Sequence, residues 1–295
     1  MRTLIDDTKC YQTKYTELQR LQNIISQSVL YTTADLNANI TSVSKAFEKL
    51  TGYKEEELLG KNHSIFRDPD TPQEFYTEMW QTLKKNEKFE GELKNYTKDK
   101  IVFWIKITID PMFNEEGEKI GYASYRENIT NTKKLEYLST HDMLTNIYNR
   151  NYFDKALEIK INSAQRYNHK FGLMILDIDD FKKVNDTYGH NIGDNVLISI
   201  AKILKKNIKE DDILARWGGE EFAILLPYTT IDDIYNLAEK LRNLIQNSTI
   251  IENKIITASF GVGLYFTSES KIEFFEKIDN LLYQAKNTGK NKVLQ

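Results

Sequence analysis

Downstream of residue 140 the apolar pattern alternates between the period of a helix and that of a strand, and this alternation narrows the possible folds most. A helical stretch over 152–164 leads to an unbroken apolar strand over 171–178. A second helix, 191–208, precedes a strand pair around 217–226. A third, 231–246, leads to a strand over 255–265, and a last helix covers 272–286. In order this is a βαββαβ core with extra helices, which predicts a mixed sheet of ferredoxin-like type in an α+β chain.

Upstream the pattern differs. Short β-type runs stand at 29–33, 40–43, 89–96, 101–109 and 119–125. The last three are separated by polar turns at 97–100 and 114–117, as in an antiparallel meander. Short helices fall between. Ser44 offers an N-cap to one carrying Ala46, Phe47 and Leu50, which Gly52 ends. Thr71-Pro72 opens another through Phe75, Met79, Trp80 and Leu83, with Pro at the first helical position. The expectation is a five-stranded antiparallel sheet with short helices over 29–130. Tyr11, Tyr15, Leu18, Leu21 and Ile25 recur at spacings of three and four, so 1–28 reads as helix. It either packs on its own domain or forms a seam with a second copy. Residues 131–140, with no Gly or Pro, read as a helical linker to a domain over 141–295.

Composition excludes several classes. The 40 Lys+Arg against 43 Asp+Glu give a formal net charge of -3, without the basic excess of a nucleic-acid binder. The single cysteine, Cys10, rules out an internal disulfide and a Cys-rich metal site, and accords with a reducing compartment. No apolar run approaches the ~20 residues of a membrane span. Residues 1–10 lack the apolar core of a secretion signal. The expected location is the cytoplasm, with no nucleic acid and no membrane span.

Three constellations in the second half carry chemistry. The first is Arg216-Trp217-Gly218-Gly219-Glu220-Glu221-Phe222. Its glycines predict a tight turn with positive φ and close backbone approach to a ligand. Its two acids, at the entrance of an apolar strand, are either solvated on a hairpin or bound to a cation. The second runs from Leu176 to Asp186. Asp177 falls at the carboxyl end of its strand, where ligands of α/β sheets collect. With Asp179 and Asp180 it makes a hard-oxygen site suited to Mg²⁺. An EF-hand calcium loop fits poorly, because Phe181 and Lys182 occupy its ligand and glycine positions. No P-loop is present; Gly60-Lys61 and Gly289-Lys290 are each followed by Asn and lack the upstream glycine. Phosphates would instead meet the backbone N–H groups after Asp179 at a helix start. The third is Lys286-Asn287-Thr288-Gly289-Lys290-Asn291, a pair of lysines at a helix end. They favour the helix dipole, or are cations placed for a triphosphate.

Together with His141-Asp142-Met143-Leu144-Thr145, Asn149-Arg150, Gly189-His190, Gly193-Asp194 and Ser259-Phe260-Gly261, these motifs resemble the GGDEF family of diguanylate cyclases over about 141–293, with the signature read as Gly-Gly-Glu-Glu-Phe. The resemblance implies condensation of two GTP into cyclic di-GMP with release of pyrophosphate, in an obligate homodimer. It implies Mg²⁺ (or Mn²⁺) on Asp177, the Ile178 carbonyl, Glu220 and Glu221, with Glu220 also the base for the 3′-hydroxyl. Asn185 and Asp194 would read guanine, with His190 nearby. Phe181 joins the substrate-binding set, and Lys182, Lys286 and Lys290 would hold the phosphates. The family usually has Arg where Lys290 stands, so the charge is kept and the bidentate fork lost. The family's product-inhibition motif, Arg-x-x-Asp, reads Lys209-Glu210-Asp211-Asp212, which implies weak feedback. The alternative is an inactive module that holds GTP or cyclic di-GMP as a dimeric signalling scaffold. Intact Asp177, Asn185, Asp194, Glu220 and Glu221 count against it.

The first half resembles a PAS sensor domain through Phe47, Leu50-Thr51-Gly52-Tyr53, Glu57-Leu58-Leu59-Gly60, Arg67-Asp68-Pro69-Asp70 and Ile129-Thr130. Trp80 and Asn95 match a pair of the flavin-binding branch, which implies FAD or another flavin, with the indole on the ring face and the amide at its polar edge. The plain alternative is Trp80 in the core. Asp68 and Phe89 depart from the residues of some flavin-binding relatives. His63 is the one candidate haem ligand, and Cys10 lies outside the domain, which excludes a cysteine–flavin adduct.

Overall fold

The structure, a computed structural model, describes residues 2–167 and 169–295, and the side chains of 11–167 and 169–295. The thiol of Cys10 lies outside these described side chains. The chain divides into two compact units, Met1–Lys134 and Leu135–Gln295.

The first unit opens with helix α1 (Arg2–Ser28), then β1 (Leu30–Ala34), β2 (Ile40–Val43), α2 (Lys45–Thr51), α3 (Glu55–Leu58) and a 3-10 turn at His63–Phe66. Helix α4 (Gln73–Lys84) leads to β3 (Phe89–Tyr96), β4 (Val102–Phe113) and β5 (Lys119–Asn128). The strands form one antiparallel sheet in the order β2-β1-β5-β4-β3. The expected caps are in place at α2: Ser44 accepts from the Phe47 N–H, and Gly52 ends the helix at φ 77. Pro72 stands at the N-cap of α4, one residue earlier than the composition of that turn predicts. Leu83 and Met79 of α4 close on Ile105, Ile107 and Ile109 of β4, while Phe47, Leu58 and Phe66 pack beside them in a second cluster. Along α1, Tyr11, Tyr15, Leu18, Leu21 and Ile25 are all exposed within this chain, so the helix does not bury its stripe on its own unit.

Helix α5 (Thr130–Thr140) realises the helical linker. The second unit continues with β6 (Tyr148–Asn149), α6 (Arg150–Tyr167), β7 (Phe171–Ile178), α7 (Phe181–Tyr188) and α8 (His190–Asn207). Then follow β8 (Ile213–Arg216), β9 (Glu221–Pro227), α9 (Ile231–Gln246), β10 (Ala258–Leu264), α10 (Lys271–Asn287) and β11 (Val293–Leu294). The sheet runs β11-β10-β7-β9-β8-β6, and each of its central four strands is antiparallel to its neighbours among them, the ferredoxin-like arrangement. The expected strand pair starts earlier than Trp217: β8 ends at Arg216, and residues 217–220 are the turn.

The sheet is covered on both faces. Met174, Leu176 and Ile178 of β7 face α8 and α9. Phe171, Leu173 and Ile175 face α6 and α10. Strand β7 is buried at every position, which explains its unbroken apolar run. Side chains alternate along a strand, so Asp177 shares the face of Ile175, under α10.

Candidate active site

Asp177 is 3% exposed. It registers with Glu221 of β9 on one side and Ser259 of β10 on the other. The Ile178 N–H donates to the Glu220 carbonyl at 3.3 Å, which fixes Glu220 beside the strand end. Lys286, in the last turn of α10, donates its Nζ to Asp177 Oδ2 at 2.7 Å. Burial pushes the Asp177 carboxyl up to about 6; Lys286 opposes this, and Glu220 and Glu221 add to it. Burial raises Glu220 as well, against the pull of Lys286 and with a push from Glu221. Three acids and one ammonium thus share a small volume with excess negative charge. Among the described residues no three His, Cys, Asp or Glu side chains form a complete metal cage. Mg²⁺ commonly uses one or two carboxylates with substrate phosphates rather than such a cage. The hard oxygens of Asp177 and Glu220 fit that kind of site.

The turn between β8 and β9 is tied down from several directions. The Trp217 and Gly218 N–H groups both donate to the Glu221 carbonyl, at 2.8 and 3.3 Å. Arg216 Nη2 donates to the Gly219 carbonyl at 2.7 Å. Its Nη1 reaches both Asp142 oxygens at 3.2 Å. Asp142 accepts in turn from the Thr145 N–H and hydroxyl, at 2.9 and 2.6 Å. Burial works to raise the Asp142 carboxyl, but Thr145 and Arg216 outweigh it and hold it below the usual value. The expected left-handed glycines are absent: neither Gly218 nor Gly219 has a positive φ. A Cβ at Gly218 would overlap Glu221 Oε2, so a side chain there would displace that carboxylate.

The loop after β7 is equally fixed. Asp179 donates its N–H to the Thr257 carbonyl at 2.9 Å. Its carboxylate accepts from the Thr257 and Ser259 hydroxyls, each at 2.7 Å, and from the Asn291 N–H at 3.0 Å. Asp180, left-handed at φ 57, pairs with Lys183 at 2.7 Å and Lys290 at 2.9 Å. Those lysines hold its carboxyl down at about 2, and Asp180 raises Lys290 in return. Arg242 of α9 donates Nη1 to Asn291 Oδ1 at 3.0 Å, anchoring the C-terminal run. Lys286 and Lys290, expected at phosphates, thus each hold a carboxylate of the same site.

Helices α7 and α8 bring Asn185 and Gly193 together, since a Cβ at residue 193 would overlap Asn185 Oδ1. Asp194 is the next residue and, like His190 one turn earlier, is exposed. Lys182 is exposed on α7. Phe181 of the expected substrate-binding set has its side chain 6% exposed and in the hydrophobic core, so what it offers a ligand is backbone. The reason is the amphipathic period of α7, which turns Phe181 and Val184 inward. Lys209 and Asp212 lie elsewhere, in the loop before β8. There Asp212 Oδ2 accepts from the Lys209 N–H at 2.8 Å, and burial pushes the Asp212 carboxyl up.

In the first unit, Trp80 and Asn95 line one cavity of about 250 Å³. The Trp80 ring meets Tyr122 edge-on at 5.7 Å. His63 lines it too, with Nε2 at 2.8 Å from Thr32 Oγ1 and Nδ1 at 3.4 Å from the Ala38 carbonyl. Both ring nitrogens are engaged within the fold rather than offered to a haem iron. Burial, then the Arg126 charge, pushes His63 down to about 3.

Sequence reasoning missed the contacts that brace the site. Asp142 and Arg216 stand in motifs already quoted, but nothing in their spacing of 74 residues says that they meet. Thr257 and Arg242 carried no signal at all.

Comparison with known proteins agrees with this geometry. Residues 139–292 match the family described as Diguanylate cyclase, GGDEF domain, and residues 17–124 match the PAS fold. The probable diguanylate cyclase DgcT of Escherichia coli strain K12 is 41% identical over 166 residues, 53% of this chain and 36% of that protein. Diguanylate cyclase DgcM of the same organism is 38% identical over 162 residues, 55% of this chain and 40% of that protein. The chain therefore spans less than half the length of these relatives. The solved coiled coil and GGDEF domain of DgcB from Caulobacter crescentus, in complex with c-di-GMP, is 31% identical with a TM-score of 0.53, covering 55% of this chain and 88% of that one. No helix among the described residues is long and apolar enough to cross a membrane. The chain belongs to the GGDEF family of diguanylate cyclases, with a region of PAS fold preceding the GGDEF domain.

Proposed function

We propose that this chain condenses two GTP into cyclic di-GMP with release of two pyrophosphates, under control of the PAS region. The observation that carries this is the buried Asp177 at the end of a central strand, with Glu220, Glu221 and Lys286 around it. A buried acid whose proton affinity is raised by burial, with further acids beside it, is a feature of sites that work on charge.

Mg²⁺ or Mn²⁺, held by Asp177, Glu220 and the Ile178 carbonyl with Glu221 beside them, would neutralise phosphate charge and activate the attacking hydroxyl. Glu220 takes the proton of the 3′-hydroxyl, and its raised proton affinity suits a general base. Lys182, Lys286 and Lys290 meet the phosphates, so positioning and charge neutralisation carry the reaction. Asn185 and Asp194 read guanine: one carboxylate accepts from N1–H and the amino group together, which adenine does not offer. His190 lies one turn from Asp194 at the rim.

Each GGDEF domain, at 141–295 in this reading, holds one GTP, so two copies must face each other and the active form is a symmetric homodimer. The exposed stripe of α1 supports a seam between copies. A nucleotide substrate accords with a cytoplasmic location. Feedback by product is weak, because Lys209 lacks the guanidinium fork and Asp212 is engaged on its own turn. The flavin reading rests on Trp80 and Asn95 alone; flavin bands in the purified chain would establish it, and colourless protein would leave the cavity to another ligand.

The test is to supply the full chain with GTP and Mg²⁺ and separate the nucleotides. Cyclic di-GMP with two pyrophosphates per product is expected. Bound but unconverted GTP in a dimeric preparation would favour the scaffold reading.

A further inference from the structure

The cavity of the first unit is lined by apolar Met79, Leu83 and Ile107 and by polar Arg126, Asn95 and Ser124. Arg126 is 7% exposed. No carboxylate among the described residues pairs with it; burial alone acts on it, pulling it down to about 9. Its Nη1 donates to Thr32 Oγ1 at 3.1 Å, and the Phe47 ring lies 4.6 Å from its Cζ. A guanidinium carries five N–H donors, so most are unused. Asn95, also 7% exposed and on the same cavity, makes no side-chain hydrogen bond among the described residues. Yet every fully enclosed side-chain nitrogen and oxygen among the described residues has a partner. The unused donors of Arg126 and Asn95 are therefore not fully enclosed, and both side chains line the cavity.

A neutral apolar occupant would leave the buried cation without a counter-charge. His63 beside it is neutral and supplies none. The guanidinium fork matches a carboxylate, and Ser124 lines the same cavity, its hydroxyl 2.9 Å from the Thr32 hydroxyl that Arg126 also meets. A volume of about 250 Å³ lies just below the range of drug-sized ligand pockets. We infer that this cavity binds a short-chain monocarboxylic acid, with its carboxylate on Arg126 and its carbon chain against Met79, Leu83 and Ile107. This inference concerns the first unit and does not rest on the nucleotide chemistry proposed above.

The test is calorimetric titration of the full chain with hexanoate and, separately, with hexanamide, which has the same shape without the charge. Hexanoate should bind saturably, and hexanamide about tenfold more weakly or worse. Arg126→Met should abolish the difference, and Arg126→Lys should keep part of it. Equal affinity for the two probes, no hexanoate binding by the unmodified chain, or full binding by Arg126→Met would each overturn the inference. So would flavin bands in the unmodified chain, since the flavin would fill the same cavity. The two-probe comparison needs only the unmodified chain, so it decides the matter even where a substitution disturbs folding.

Discussion

The two units each bury an unbalanced charge, and the two are of opposite sign. In the first, Arg126 sits in the interior with a hydroxyl and an aromatic ring but no acid. In the second, Asp177 sits in the interior with two further acids and a single lysine. An apolar core gains nothing from either arrangement, since desolvating an ion opposes folding. The difference lies in the counter-charge each centre calls for: an anion in the first unit, cations in the second. Buried charge left unbalanced in this way marks where a ligand completes the protein, and its sign indicates the ligand's class.

The largest effect should come from Glu220→Gln, which keeps the shape and removes the base. Pyrophosphate release should fall about 10³-fold; a loss under tenfold would remove Glu220 from the chemistry. Next comes acid stability of the first unit. His63 has a folded value of about 3 against 6.5 ordinarily. Between these values the unfolded chain holds the extra proton, so stability falls as pH falls from about 6.5 towards 3. At pH 4.5 the loss should be roughly 3 kcal/mol, read from urea unfolding at pH 7 and 4.5, and His63→Gln should flatten it. Gly193→Ala should displace Asn185 and raise KM for GTP roughly tenfold with a smaller change in kcat. A KM left unchanged would separate Asn185 from guanine. The smallest effect is expected from Asp212→Ala. Inhibition by added cyclic di-GMP should be weak before and after it, and a low-micromolar inhibition constant lost on this substitution would contradict the reading of that loop.

Much of the fold was legible because period and punctuation agree with it. The apolar run of β7 reports burial on both faces, and Ser44 and Gly52 bound α2 by local chemistry alone. The site was legible wherever one motif falls on one element end, as at Asp177 and Glu220. What was not legible depends on contacts distant in sequence. Arg216 meets Asp142 across 74 residues, and Asp179 gathers Thr257, Ser259 and Asn291. Gly218 was read as a glycine of positive φ, which it does not adopt; it lies in the turn, against the Glu221 carboxylate. That the Phe181 side chain joins the core follows from helix period, which turns it inward and leaves its backbone for a ligand. Arg126 gave no signal, since an arginine in an alternating strand reads as solvent-facing until the helices above it are placed.

The most direct measurement compares the unmodified chain with Asp177→Asn for thermal stability and for cyclic di-GMP formation in one preparation. The folded Asp177 value of about 6 lies above the unfolded 3.8, so its charge destabilises the fold increasingly as pH rises through that window. At pH 8 the neutral amide should therefore stabilise the second unit by up to about 3 kcal/mol, while product formation is lost. A variant that is less stable and still makes cyclic di-GMP would contradict the account: Asp177 would then be a structural partner of Lys286 rather than a charge held for catalysis.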